Sequence, residues 1–142
     1  QIGVTKVNFY ILQQQQARDR DQFACKLVSQ LFKQGRKLYL HTADEGCAQA
    51  IDELLWGFEP GAFIPHGLLG SGEDDTIAIG WGDDPSHHQD VLINLAYDVP
   101  SFIGRFDKVA EIVVQAPEIR DPLRASYKYY KDRGYDIKTN EL

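Results

Sequence analysis

The sequence holds only two cysteines, Cys25 and Cys47, in 142 residues. Two thiols make no disulfide framework and no zinc knuckle. Both stand among apolar and small residues, as buried thiols of a reducing compartment do. No run approaches the roughly 20 apolar residues of a membrane span, and no charged-then-apolar leader opens the chain. An excess of positive charge is also lacking, since 15 Lys and Arg against 21 Asp and Glu leave a net −6. A sequence-independent DNA binder sets a field of Lys and Arg against phosphate, so no direct DNA binding is expected. Intrinsic disorder is excluded too, because a 43% hydrophobic fraction is enough to build a core. From these absences a soluble cytoplasmic protein with no membrane contact is expected. Its length suits a single domain, 1–142.

What is present is an alternation of strand and helix patterns. Residues 4–12 are rich in β-branched and aromatic side chains and read as a strand. Residues 13–16 are four glutamines, a polar connection too short for a low-complexity tract. Over residues 19–34, Phe23, Ala24, Leu27, Val28 and Leu31 recur on one helical face, and Gly35 follows as the terminating glycine. A short strand over 37–41 precedes a helix over 45–56, to which Thr42 and Asp44 offer N-cap oxygens and which Gly57 is expected to stop. Residues 58–72 form an unusually apolar loop. Strands follow at 76–81, 91–96 and 111–115, with one helical turn near 101–106. A last helix spans 118–133 and Gly134 closes it; 135–142 reads as an extended or frayed tail. Strand–helix alternation with short connections makes right-handed βαβ units and a largely parallel sheet. The expected architecture is α/β, a three-layer α/β/α sandwich of Rossmann-like type with about five strands.

Such folds often bind nucleotides, yet the phosphate motifs are missing. Nothing matches a Walker loop, and the Gly67–Leu68 region (67–72, GLLGSG) follows a loop and leads into Glu73, Asp74 and Asp75. Three acids would repel a phosphate rather than cradle it. No cofactor is expected. His87 and His88 are adjacent in a polar turn without further ligands at chelating spacing, so they read as a solvated loop and no metal site is expected. His66 reads as a loop-ordering residue. His41, at the carboxyl end of a strand and near Asp44, offers the one enzyme-like pair, a general base and its orienter. No nucleophile elbow accompanies it. A small Rossmann-like enzyme using His41 and Asp44 is therefore the alternative function.

Two segments have the composition of binding surfaces. Trp56, Phe58, Phe63, Ile64, Pro65, Leu68 and Leu69 lie within fourteen residues. So many apolar groups on one loop either fold back into the core or form a partner patch anchored by aromatics. On the last helix Arg120, Arg124, Lys128 and Lys131 share a face, with Tyr127 beside them. This is a solvated helix face or a pocket for an acidic peptide or terminal carboxylate. Arg suits the second because its planar fork donates two parallel hydrogen bonds.

The segments DELLWGFEPGAFIPHGLLGSG (52–72) and LRASYKYYKDRGYDIKT (123–139), together with VNFYIL (7–12) and residues 35–44, resemble the chi subunit of bacterial DNA polymerase III holoenzyme. The match covers nearly the whole chain and is loosest over 72–109. The resemblance implies a non-catalytic accessory subunit of the clamp-loader assembly, acting in DNA replication. It implies pairing with the psi subunit through Trp56 and Phe63. It also implies capture of the acidic C-terminal tail of single-stranded-DNA-binding protein, which ends in Ile-Pro-Phe, by Val113, Arg124, Tyr127, Lys128 and Thr139. Some members of the family also pair with a repair helicase through the psi face. This chain departs at Gly57-Phe58 and at the acidic turn 73–75, which bears on the outline of the psi surface and not on the tail pocket.

Overall fold

The elements alternate as β1 (Lys6–Ile11), α1 (Ala17–Lys33), β2 (Leu38–His41), α2 (Glu45–Phe58), β3 (Gly67–Leu68), β4 (Ile77–Gly80), β5 (Val91–Asn94), a 3-10 turn (Ile103–Arg105), β6 (Lys108–Val113), α3 (Pro117–Asp132) and β7 (Asp136–Glu141). The structure, a computed structural model, describes residues 5–58, 67–68, 76–82, 84–85 and 88–142. The strands form one sheet in the order β3-β4-β2-β5-β6-β1-β7. Every pairing in it is parallel.

Successive residues of β1 assign the layers. Tyr10 meets Phe23 of α1 at 5.4 Å between ring centroids, whereas Phe9 meets Tyr127 and Tyr130 of α3 at 5.2 and 5.9 Å. Neighbouring strand residues point to opposite faces, so α1 and α3 lie on opposite sides of the sheet. α2 packs against α1. The result is the expected three-layer α/β/α sandwich. Coverage on both faces explains why β2, β4 and β5 are buried at every position and read as unbroken apolar runs.

Local chemistry accounts for the helix ends. Gln16 N donates to Asp19 Oδ2 at the start of α1. Asp44 Oδ1 accepts from Cys47 N at 2.8 Å, so Asp44 is the N-cap of α2. Gly35 and Gly134 both have φ of 81°. The next amides reach back, Arg36 N to Leu31 O and Tyr135 N to Tyr130 O, each at 3.1 Å. Both glycines thus close Schellman motifs, as their positions in the sequence predict.

The strand count is corrected from about five to seven. Gly67–Leu68 pairs with Ala78 and Ile79 inside the stretch read as loop. The tail read as extended or frayed is a strand, β7, paired along its length with β1. Its pattern is polar because it is an edge strand that faces solvent. β6 begins three residues earlier than its pattern predicts. Lys108 opens ladders with both Lys6 and Val91, and a charged first residue hides that start.

Candidate functional site

The carboxyl ends of β6, β1 and β7 stop beneath the first half of α3. Val113, Ile11 and Glu141 lie side by side in register there, one from each strand. Beyond them the chain diverges: Gln115 N bonds Gln14 O, and Gln115 Nε2 donates to Leu12 O at 2.9 Å. α3 opens with Pro117 after the extended Ala116, where a missing N–H costs nothing. It buries Ile119, Leu123, Ser126 and Tyr130. The residues flanking that stripe overhang the strand ends.

Between them lies a cleft of about 380 Å³. Its apolar floor is Phe9, Ile11, Val113 and Leu123, and Tyr127 forms a wall. The Tyr127 ring stands edge-on to Phe9, at an interplanar angle of 68°. Gln13 and Gln115 make a polar lip, Arg120 and Arg124 project from α3, and Glu141 closes the β7 side. Arg120 Nε lies 3.4 Å from Asp121 Oδ1. Arg124 is exposed and has no ion-pair partner among the described residues. A free guanidinium over an apolar floor is suited to a ligand with an apolar group beside a carboxylate.

α3 is held by a polar anchor in the core. Glu111, fully buried on β6, accepts at Oε2 from Tyr130 Oη at 2.6 Å and from Asn94 Nδ2 at 3.0 Å. Burial pushes the Glu111 carboxyl up to about 7, against the opposing pull of those hydrogen bonds and of Arg20. Burial, with the neighbouring Glu111 charge, likewise raises Tyr130.

The structure brings together three of the five residues that the resemblance implies for the tail: Val113, Arg124 and Tyr127. Lys128 lies outside the lining, and its Nζ bonds Asp132 Oδ2 at 2.9 Å. Eight residues of helix turn Lys128 about 80° away from Arg120. Thr139 registers with Phe9, so it stands on the cleft face of β7, but it is exposed and outside the lining. Of the apolar-loop anchors, Trp56 sits near the end of α2 at 54% exposure. Phe63 lies outside the described residues, as do His66, residues 69–75 and His87. His88 corrects the solvated-loop expectation: it is buried, with its ring 5.5 Å from that of Tyr39. His41 is buried edge-on to Phe102. Asp44 is held as a cap, and the Cys47 amide lowers its carboxyl below the usual carboxylate value.

Sequence patterning singles out the Arg120 stripe but not Gln13, Gln115, Glu141 or the Glu111 anchor. Glu111 did leave a signal, because it interrupts an otherwise apolar run, VAEIVV (109–114). The cleft lip left none, since strand register decides which polar residues meet there.

The sequence model of the family described as DNA polymerase III chi subunit, HolC, matches residues 4–138. The chain belongs to that family. A Pseudomonas aeruginosa protein named DNA polymerase III subunit chi is 38% identical over 139 residues, covering 98% of each chain. The Haemophilus influenzae protein of the same name is 29% identical, over 94% of this chain and 95% of its own. The Escherichia coli one is 27% identical, over 84% and 83%. Chi-family membership places the chain in DNA replication, as the resemblance read from its last helix and apolar loop implies. Among the described residues, no helix is long and apolar enough to cross a membrane.

Proposed function

We propose that this protein is a non-catalytic chi-type accessory subunit of the DNA polymerase III complex. In this reading it is a single cytoplasmic domain that binds the acidic C-terminal tail of single-stranded-DNA-binding protein in the α3 cleft. It pairs with the psi subunit, or in its place a repair helicase, through Trp56 and Phe63. The observation that carries the tail-binding reading is Arg124, a cation without an ion-pair partner among the described residues, set over the apolar floor of Phe9, Ile11, Val113 and Leu123. The terminal Phe of the tail fills that floor against Tyr127, and Arg124 takes the carboxylate or an acidic side chain. Lys128 contributes its field from the flank, and Thr139 offers a hydroxyl further along β7.

A site of this size holds one short peptide weakly. The tails of an oligomeric partner raise the effective concentration of the next binding event, so the subunit tethers the clamp loader to coated template. Calorimetric titration with an acidic peptide ending in Ile-Pro-Phe tests the reading. Binding should weaken as salt screens the opposed charges. Arg124→Glu should cost about 2 kcal/mol or more, as reversal of a hot-spot charge does, and leave psi pairing intact. Equal binding by Arg124→Glu, or loss of psi pairing with it, would overturn the assignment of the two surfaces.

A further inference from the structure

One lining residue of the cleft has the wrong sign for an acidic ligand. Glu141 lies at the β7 edge, its Cα in register with Ile11, which in turn registers with Val113. The ladder fixes its direction. Partners in a parallel pair share a face, and Leu142 N bonds Ile11 O at 3.0 Å just beyond it. Glu141 is exposed, and its side chain makes no hydrogen bond or ion pair among the described residues. Arg124, on the opposite wall, is likewise without an ion-pair partner among the described residues. The cleft thus sets Arg124 on its α3 wall against Glu141 at its β7 edge, with the apolar floor between.

We infer that Glu141 is a specificity-determining residue that makes the cleft reject acidic side chains along β7, so that a bound peptide places its carboxylates on the Arg124 side only. The inference rests on the peptide-binding reading above and adds a rule to it. Attraction to Arg124 alone would favour any acidic peptide with an apolar end. Repulsion at Glu141 restricts the choice to peptides whose residues nearest β7 are uncharged or basic, and it sets the direction in which the chain lies. A repulsive group of this kind supplies discrimination at some cost in affinity.

The test is a positional scan. A set of acidic peptides ending in Phe carries, at each uncharged position before the end in turn, a neutral residue, Asp or Lys. Each is titrated at low salt against the wild type, Glu141→Gln and Glu141→Lys. In the wild type at least one position should show an Asp penalty of roughly two- to fivefold, the size of an exposed charge–charge effect. Glu141→Gln should remove that penalty and Glu141→Lys should invert it, with Lys then disfavoured there. Because the side chain is exposed and makes no hydrogen bond, thermal midpoints should stay unchanged. If the three proteins rank the peptides identically, Glu141 does not select and the inference is overturned. If the wild type binds no peptide of the set, the peptide-binding reading itself fails and takes the inference with it.

Discussion

Arg20 and Glu111 are ionisable residues placed in the core, and each is retained by hydrogen bonds. Arg20 is 2% exposed. Its Nε donates to Ile112 O at 2.7 Å and its Nη1 to Leu95 O at 2.8 Å, while Nη2 reaches the carbonyls of Asn94 and Ala96. The carboxyl edge of a parallel sheet is where Rossmann-like folds receive ligands. Between β5 and β6 that edge is filled by this guanidinium, with Tyr97 over it at 5.2 Å. Glu111 faces Asn94 of β5 and Tyr130 of α3, with Arg20 of α1 lowering its carboxyl value and Asp98 raising it. Its folded-state value, about 7, exceeds the ordinary 4.5. The folded state therefore holds the proton more tightly than the unfolded chain. Stability from this group is fully present below the ordinary value and is lost as pH rises through 7. Urea midpoints should fall between pH 5 and pH 8, and Glu111→Gln should flatten that fall. Asp90, whose carboxyl is lowered by its Arg36 hydrogen bonds, acts only in more acidic solution. Parallel pH profiles for the two proteins would refute the assignment.

At the scale of elements, the strands show where pattern suffices and where it fails. β2, β4 and β5 are legible because burial on both faces demands apolar residues at every position. β7 is not: only Ile137 is apolar in DIKTNE, and the strand exists because β1 offers it a free edge. Helices were easier to read, since Gly35 and Gly134 end α1 and α3 where the left-handed conformation is needed. Close packing between strands adds a constraint that no pattern carries. A Cβ on Gly80 would lie 2.1 Å from Tyr39 Oη and 2.9 Å from Cζ. Tyr39 is fully buried among Phe102, Phe106 and His88 and cannot swing aside. Gly80→Ala should cost roughly 1–3 kcal/mol, the usual penalty of overpacking, read as a lower denaturant midpoint. Adding Tyr39→Phe should recover part of it by removing the nearest atom. A neutral Gly80→Ala would mean that the tyrosine ring does not cross this strand.

For the molecule as a whole, the sheet keeps the two proposed partner surfaces apart. Trp56 rides on α2, which packs with α1 on one face and contacts β3 and β4 near one edge. The cleft lies under α3 on the other face, around β6, β1 and β7. From β4 to β6 the sheet spans three strand spacings, about 14 Å, beyond the range at which substitutions usually couple. Trp56→Ala should therefore weaken psi pairing, read by size exclusion of the mixed subunits, while the peptide titration stays unchanged. Loss of both activities would show that the two surfaces are one. By itself the sequence determined the α/β class, the three helices with Asp44 as a cap of α2 and Gly35 and Gly134 as the terminators of α1 and α3, and the basic tyrosine-bearing face of α3. It also determined family membership, because each of these is written in local periodicity or in contiguous residues. Only the tertiary structure decided that β7 completes the sheet and that Lys128 turns away to Asp132. It also set Val113, Ile11 and Glu141 in one row below Arg124. Residues 11, 113, 124 and 141 become neighbours through parallel register, and register depends on which strand edges remain free once the rest of the sheet has formed.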